Sequence, residues 1–189
     1  MPPSVTASVL LVEGASDAAA LHGVAALLGR SLPAEGVSVV AMGGATNVAR
    51  HLLELPDGVA VGGLYDAAEE RFFRGGLERA GFGRVADAAD LEAHGFFGCD
   101  PDLEGELVRA LGLEQALRVV AAQGELSSFR VLQRQPAQRD RTVEQHLHRF
   151  LGTRSGRKAQ YAAALVAALA VDAVPLPLLG VLGVGPPQL

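Results

Sequence analysis

The chain has 189 residues, enough for one domain with a substantial core. Hydrophobic residues make up 49% and aromatics only 5%, with no Trp, so Ala, Leu, Val and Gly dominate as in a compact α/β protein. The formal net charge of -5 excludes a strongly basic nucleic-acid binder, and a lone Cys99 excludes an internal disulfide framework.

Thr6 to Glu13 reads as a first strand: a short aliphatic run that ends abruptly in Glu13-Gly14. Ser16 to Arg30 reads as a helix that Ser16 can cap, with Leu21, Val24, Leu27 and Leu28 on its inner face. Gly36 marks a turn before a second strand, Val37 to Met42. Gly43-Gly44 and a helix from about Asn47 to Leu55 follow, with Thr46 or Asn47 as its cap. Pro56-Asp57-Gly58 is a turn, and Val59 to Asp66 is a third strand, again ending in an acid. Ala67 to Ala80 and Ala88 to His94 read as helices, Phe96 to Cys99 as a fourth strand, and Asp102 to Leu111 and Leu113 to Gln123 as helices. Strands alternating with helices in this way predict a mostly parallel sheet. Beyond residue 124 only helices are expected: Glu125 to Arg134, Val143 to Leu151 and Ala159 to Ala170. The tail from Pro175 is rich in Pro, Gly and Leu, a pattern that does not decide between packing and mobility. The division is thus an α/β core over 1–124, a basic helical extension of the same domain over 125–174, and a tail over 175–189. No apolar run reaches membrane-span length and the start lacks a signal pattern, so a cytoplasmic location without a membrane partner is expected.

Charge is unevenly distributed. Residues 1–129 hold 8 basic and 18 acidic residues, whereas 130–158 hold 8 basic and 2 acidic. An acidic centre suits cations and a basic surface suits phosphates. Three strands end in chemistry: Glu13, Gly43-Gly44 and Asp66. In a parallel sheet these ends share one edge, so Glu13, Asp17 and Asp66 can meet there. Acids that close repel unless a cation or proton lies between them, and hard oxygen ligands suit Mg²⁺ or Mn²⁺. Gly43 and Gly44 allow close backbone approach and make a candidate phosphate cradle, although an ordinary tight turn explains them equally well. In Asp100-Pro101-Asp102-Leu103-Glu104-Gly105-Glu106, helix capping explains Asp102, while Glu104 remains a candidate ligand. Glu69 and Glu70 follow Asp66; Glu70 fits an exposed helix start, and Glu69 is open between that and a ligand. Lys158 is the single lysine beside 15 arginines, and by composition alone a chance surface lysine is the better reading. Near a bound phosphate it could stabilise developing charge, and Arg154 and Arg157 beside it could hold a nucleic-acid backbone.

Glu13-Gly14, Asp17 and the strand end at Asp66 resemble a Toprim domain, the acidic metal-binding fold of topoisomerases, primases and some nucleases. Leu11 to Asp17, the Val39 to Asn47 segment, Asp102-Leu103-Glu104 and Lys158 ahead of an Ala-rich helix resemble the nuclease domain of the OLD (overcoming lysogenisation defect) family. That likeness spans roughly residues 6–170. It implies a Rossmann-like fold, a mostly parallel sheet of about four strands flanked by helices. It also implies that Glu13, Asp17, Asp66 and Glu104 bind Mg²⁺ or Mn²⁺, with Lys158 supporting the transition state of phosphodiester hydrolysis in DNA or RNA. Two features depart from the pattern. The second Asp of Asp-x-Asp is Ala68, unless Glu69 replaces it, and no Gly-x-x-x-x-Gly-Lys-Ser/Thr loop is present. The expectation is therefore a free-standing Toprim protein whose ATP dependence, if any, comes from a separate ATPase. A homo-oligomer is left open. The alternatives are a Toprim module that binds metal and nucleic acid without cleaving, and a phosphoacceptor signalling domain, which the spacing of Glu13, Asp17 and Lys158 disfavours.

Overall fold

In the computed structural model, which describes residues 8–152 and 157–183, four strands form one all-parallel sheet in the order β2-β1-β3-β4. The strands are β1 (Ser8–Val12), β2 (Val37–Ala41), β3 (Ala60–Asp66) and β4 (Phe96–Cys99). Among the described residues the α-helices are α1 (Ala15–Leu27), α2 (Val48–Glu54), α3 (Glu70–Arg79), α4 (Ala88–Ala93), α5 (Leu103–Leu111), α6 (Leu113–Ala122), α7 (Leu126–Gln133), α8 (Val143–Gly152), α9 (Arg157–Ala167) and α10 (Leu176–Leu182). The expected α/β class and parallel sheet are present. Strand side chains alternate between faces, so Leu10 and Val12 enter one core while Leu11 enters the other. The first core lies under α1, α5 to α10. The second, smaller core gathers Val48 and Leu52 of α2, Phe73 and Leu77 of α3 and Leu91 of α4. Burial on both faces explains why the strands read as nearly continuous apolar runs.

Two expected helix caps are corrected, and one segment left undecided is found packed. Ser16 does not cap α1: Gly14 occupies the cap position, and the Asp17 carboxylate reaches back to accept from the Gly14 N–H at 2.9 Å. Neither Thr46 nor Asn47 caps α2 through its side chain. Asn47 Nδ2 instead donates to the carbonyls of Met42 (2.9 Å) and Gly43 (3.3 Å), locking the turn after β2. Of the segment from Pro175, left open between packing and mobility, residues 176–182 pack: α10 lies against the sheet with Leu178, Val181 and Leu182 buried. Gly180 permits that approach, since a Cβ there would stand 2.4 Å from the Phe97 ring.

The register fixes the functional edge. Val12 pairs with Ala41 and Asp66 with Cys99, while Leu11 lies opposite Gly63, so β3 and β4 run about two residues past the ends of β1 and β2 at the same sheet edge. Cys99 is buried, and burial pushes its thiol far up, so it is a core residue rather than a nucleophile. No helix among the described residues is long and apolar enough to cross a membrane.

Candidate metal and phosphodiester site

Beyond the carboxyl ends of the strands lies a cleft of about 470 Å³. Glu13, Asp17, Asp66, Glu104 and Lys158 line it, together with Gly43 and Gly44. The fold thus gathers acids as far apart in sequence as Glu13 and Glu104, as expected of a crevice at parallel strand ends. The Glu13 backbone is fixed from the side. Its carbonyl accepts the N–H groups of Gly43 (3.0 Å) and Gly44 (3.1 Å), a turn whose φ of 125° at Gly44 favours glycine. Those two amides are therefore committed to Glu13. The Gly-Gly turn borders the cleft and positions the acid; it is not a cradle of free amides for a phosphate.

Each remaining carboxylate is held by a different element. Asp17 bonds Gly14 N–H at 2.9 Å, and Asp66 Oδ1 accepts from Leu103 N–H at 3.2 Å, tying the end of β3 to the start of α5. Glu104 Oε2 faces Lys158 Nζ at 3.4 Å. Two oxygens have nothing: Glu13 Oε2 and Glu104 Oε1 are buried with no hydrogen-bond partner among the described residues. Such atoms carry a full desolvation cost unless something outside the chain satisfies them.

The electrostatics agree with this geometry. Burial, then Asp17 and Asp102, pushes Asp66 up to about 7. Burial, then Asp17 and Glu69, raises Glu13, and burial also raises Asp17 and Glu104. Burial depresses Lys158, but Glu104, Asp102 and Asp66 outweigh it, and the net shift is upward, keeping the ammonium charged. Glu69 does not line the cleft, yet it stands close enough for its charge to raise Glu13. Ala68, in the place of a second Asp, is exposed.

The donor chemistry suits a hard divalent cation: oxygen ligands only, excess negative charge, and two buried oxygens lacking partners. As the side chains lie, no group of three or more Asp, Glu, His or Cys residues among those described forms a ligand set. Asp17, Asp66 and Glu104 are instead tied back to Gly14, Leu103 and Lys158.

Two site residues escaped the sequence reading. Asp102 caps α5 through Gly105 N–H (2.8 Å), as its position predicts, but its other oxygen bonds His148 Nε2 on α8 at 2.5 Å. Its charge also bears on Asp17, Asp66, Glu104 and Lys158. The density of acids around Asp102 was the available signal; the His148 partner, 46 positions away, left none.

Arg157 requires a correction. It is 6% exposed, donates to Glu125 at 2.6 Å and to the Phe150 carbonyl, and lies 4.3 Å from the Phe150 ring centroid. Arg157 is a structural cation rather than a surface contact for nucleic acid. Arg154 lies outside the described residues.

Residues 6–55 match a family model described as "Overcoming lysogenization defect protein-like, TOPRIM domain". That span contains Glu13, Asp17, Gly43 and Gly44, but not Asp66, Glu69, Glu104 or Lys158. The fold is similar to the C-terminal region of the OLD protein of Xanthomonas campestris pv. campestris. The TM-score is 0.66 at 22% identity, covering 97% of this chain and 95% of that one. It is also similar to the C-terminal region of the Burkholderia pseudomallei OLD protein, with a TM-score of 0.65 at 21% identity, covering 94% and 95%. No curated protein matches the sequence. Residues 6–55 thus resemble an OLD-like Toprim domain, and the fold as a whole resembles that of the C-terminal regions of OLD proteins.

Proposed function

We propose that this chain hydrolyses phosphodiester bonds in nucleic acid, with DNA as the first candidate, using Mg²⁺ or Mn²⁺ in the strand-end cleft. One observation carries the reading. Glu13, Asp17, Asp66, Glu104 and Lys158 line a single cleft in which Glu13 Oε2 and Glu104 Oε1 are buried and unpartnered. Glu13, Asp17 and Asp66 would hold the cation, with Glu104 and Glu69 as further oxygen donors. A bound cation would supply Lewis acidity and lower the pKa of its water. The rest falls to the chain itself. The Gly43-Gly44 amides fix Glu13, and the Leu103 amide fixes Asp66. The Lys158 ammonium, charged and open to solvent on one side, would attract the scissile phosphate and stabilise charge developing on its oxygens.

Ala68 favours a second reading, in which the domain binds metal and nucleic acid for a partner such as a separate ATPase without cutting. Incubation of supercoiled plasmid with Mg²⁺, Mn²⁺ or chelator separates the two. Wild type should nick in either metal and not in chelator, and Glu13→Ala should abolish nicking. Loss in Glu69→Ala as well would make Glu69 the replacement for the absent Asp. No nicking by wild type in either metal would overturn hydrolysis by this chain alone and leave the binding reading.

A further inference from the structure

Beside the acidic cleft, a groove of about 680 Å³ lies between α5 and α8. Glu104 borders both, so the groove and the cleft are neighbours. The Asp102–His148 hydrogen bond ties the start of α5 to α8, which lines the groove. Val108, Gly112 and Leu113 supply an apolar floor, and Arg141 and Arg149 stand exposed on the α8 side. Neither arginine pairs with a carboxylate among the described residues, unlike Arg109 across the groove, which bonds Glu106 at 2.9 Å. Glu144 shares the α8 wall, but it sits in the first turn of its helix, where its charge answers the helix N-terminus.

We infer that this groove takes a single-stranded segment of nucleic acid, leading it to or from the acidic cleft, with phosphates toward Arg141 and Arg149 and base faces on the apolar floor. The inference rests on the phosphodiester reading of the cleft. Two cations without carboxylate partners beside an aliphatic floor match a strand that presents charge on one side and base faces on the other, the floor taking those faces by apolar contact rather than by stacking on Phe, Tyr or Trp. A duplex buries those ring faces in its own stack and would leave the floor wet. The cleft alone, crowded with raised carboxylates, repels a polyanion; a neighbouring positive wall would offset that repulsion at the point of entry.

The test is binding of a fluorescein-labelled oligothymidylate, about twelve nucleotides long in keeping with typical single-strand sites, to the full chain in chelator. Arg141→Ala/Arg149→Ala should weaken binding roughly tenfold and reduce the salt slope by about 1.4, the loss of two single-strand phosphate contacts. Leu113→Glu, which places a carboxylate on the floor, should weaken it similarly. Arg118→Ala, an exposed cation outside the groove, should leave it unchanged. Unchanged affinity and slope in the double variant would overturn the inference, as would equal binding of a blunt duplex of the same length. Because no metal is present, the binding result is independent of hydrolysis. Oligonucleotide binding with these dependences and no plasmid nicking would fault the hydrolytic reading alone. Nicking with binding indifferent to Arg141 and Arg149 would fault the groove alone.

Discussion

At the sheet edge, Glu13 and Glu104 each keep a buried carboxylate oxygen with no partner among the described residues. Between α7, α8 and α9, buried charge is treated differently. Arg157 meets Glu125 at 2.6 Å, and Tyr161 donates its hydroxyl to the other Glu125 oxygen at 2.9 Å. The first region is rich in one sign and unsatisfied; the second is neutral and closed on itself. Both are conspicuous as sequence, since each concentrates ionisable residues near glycines and turns. What distinguishes them physically is whether the chain completes its own hydrogen bonds. A completed network contributes rigidity, whereas an uncompleted one has a cost that an external ligand can remove.

The largest effect of breaking this contrast should come from the closed network. Arg157→Met removes the cation and leaves Glu125 partly buried without it. The chain should lose about 3 kcal/mol in a urea unfolding titration, while its Mn²⁺ affinity stays unchanged. A change in Mn²⁺ affinity as large as that at the cleft would blur the distinction between the two regions.

The cleft should behave in the opposite sense. Asp66 has its pKa raised to about 7, so the folded chain binds more protons than the unfolded chain between about pH 4 and that value. Stability without metal is therefore fully present below about pH 4 and is lost as pH rises through about 7. The raised Glu13, Asp17 and Glu104 add to the same trend. Asp66→Asn should flatten the profile and stabilise the metal-free chain at pH 8 by about 1 kcal/mol, a figure reduced for solvent reaching the carboxylate. It should weaken Mn²⁺ binding at the same time. Thermal melts from pH 4 to 9 with and without Mn²⁺ check both; destabilisation at pH 8 would mean that the Asp66 charge is already satisfied by the fold.

The smallest effect on stability should come from Lys158. The ion pair with Glu104 spans 3.4 Å and the lysine is half exposed, so Lys158→Ala should cost less than about 1 kcal/mol in the same unfolding titration. Nicking should nevertheless fall sharply, with the metal affinity retained. Equal loss of stability and nicking would reduce Lys158 to a structural partner of Glu104.

These differences mirror what was legible beforehand. Glu13 and Asp66 each end an aliphatic strand run, so the sequence pattern alone places them on the shared edge. Lys158 stood out by composition, as one lysine among arginines. Arg157, one of 15 arginines, carries no such signal and reads as a surface cation only because its partner Glu125 lies 32 positions upstream, at the cap of α7. Asp102 was read correctly as a cap; since capping explains its local sequence completely, nothing pointed to its second bond, with His148. Gly43-Gly44 looked like a phosphate turn because glycine pairs mark close approach without saying what approaches; here it is the carbonyl of Glu13. Helix α10 escaped notice because Leu, Pro and Gly over so short a span give no amphipathic period, and its docking depends on Gly180 meeting Phe97. Local pattern revealed strand ends and caps, whereas pairings between distant helices required the folded chain.

The most direct test of the cleft's unsatisfied charge is calorimetric titration of Mn²⁺ into the metal-free chain at pH 8, repeated with Glu13→Gln. The expected result is saturable binding by wild type that is lost or at least tenfold weaker in the variant, accompanied by a rise in Tm with Mn²⁺ for wild type only. Absence of saturable binding and of any Tm change in wild type, or equal binding by Glu13→Gln, would contradict the cleft as a metal site.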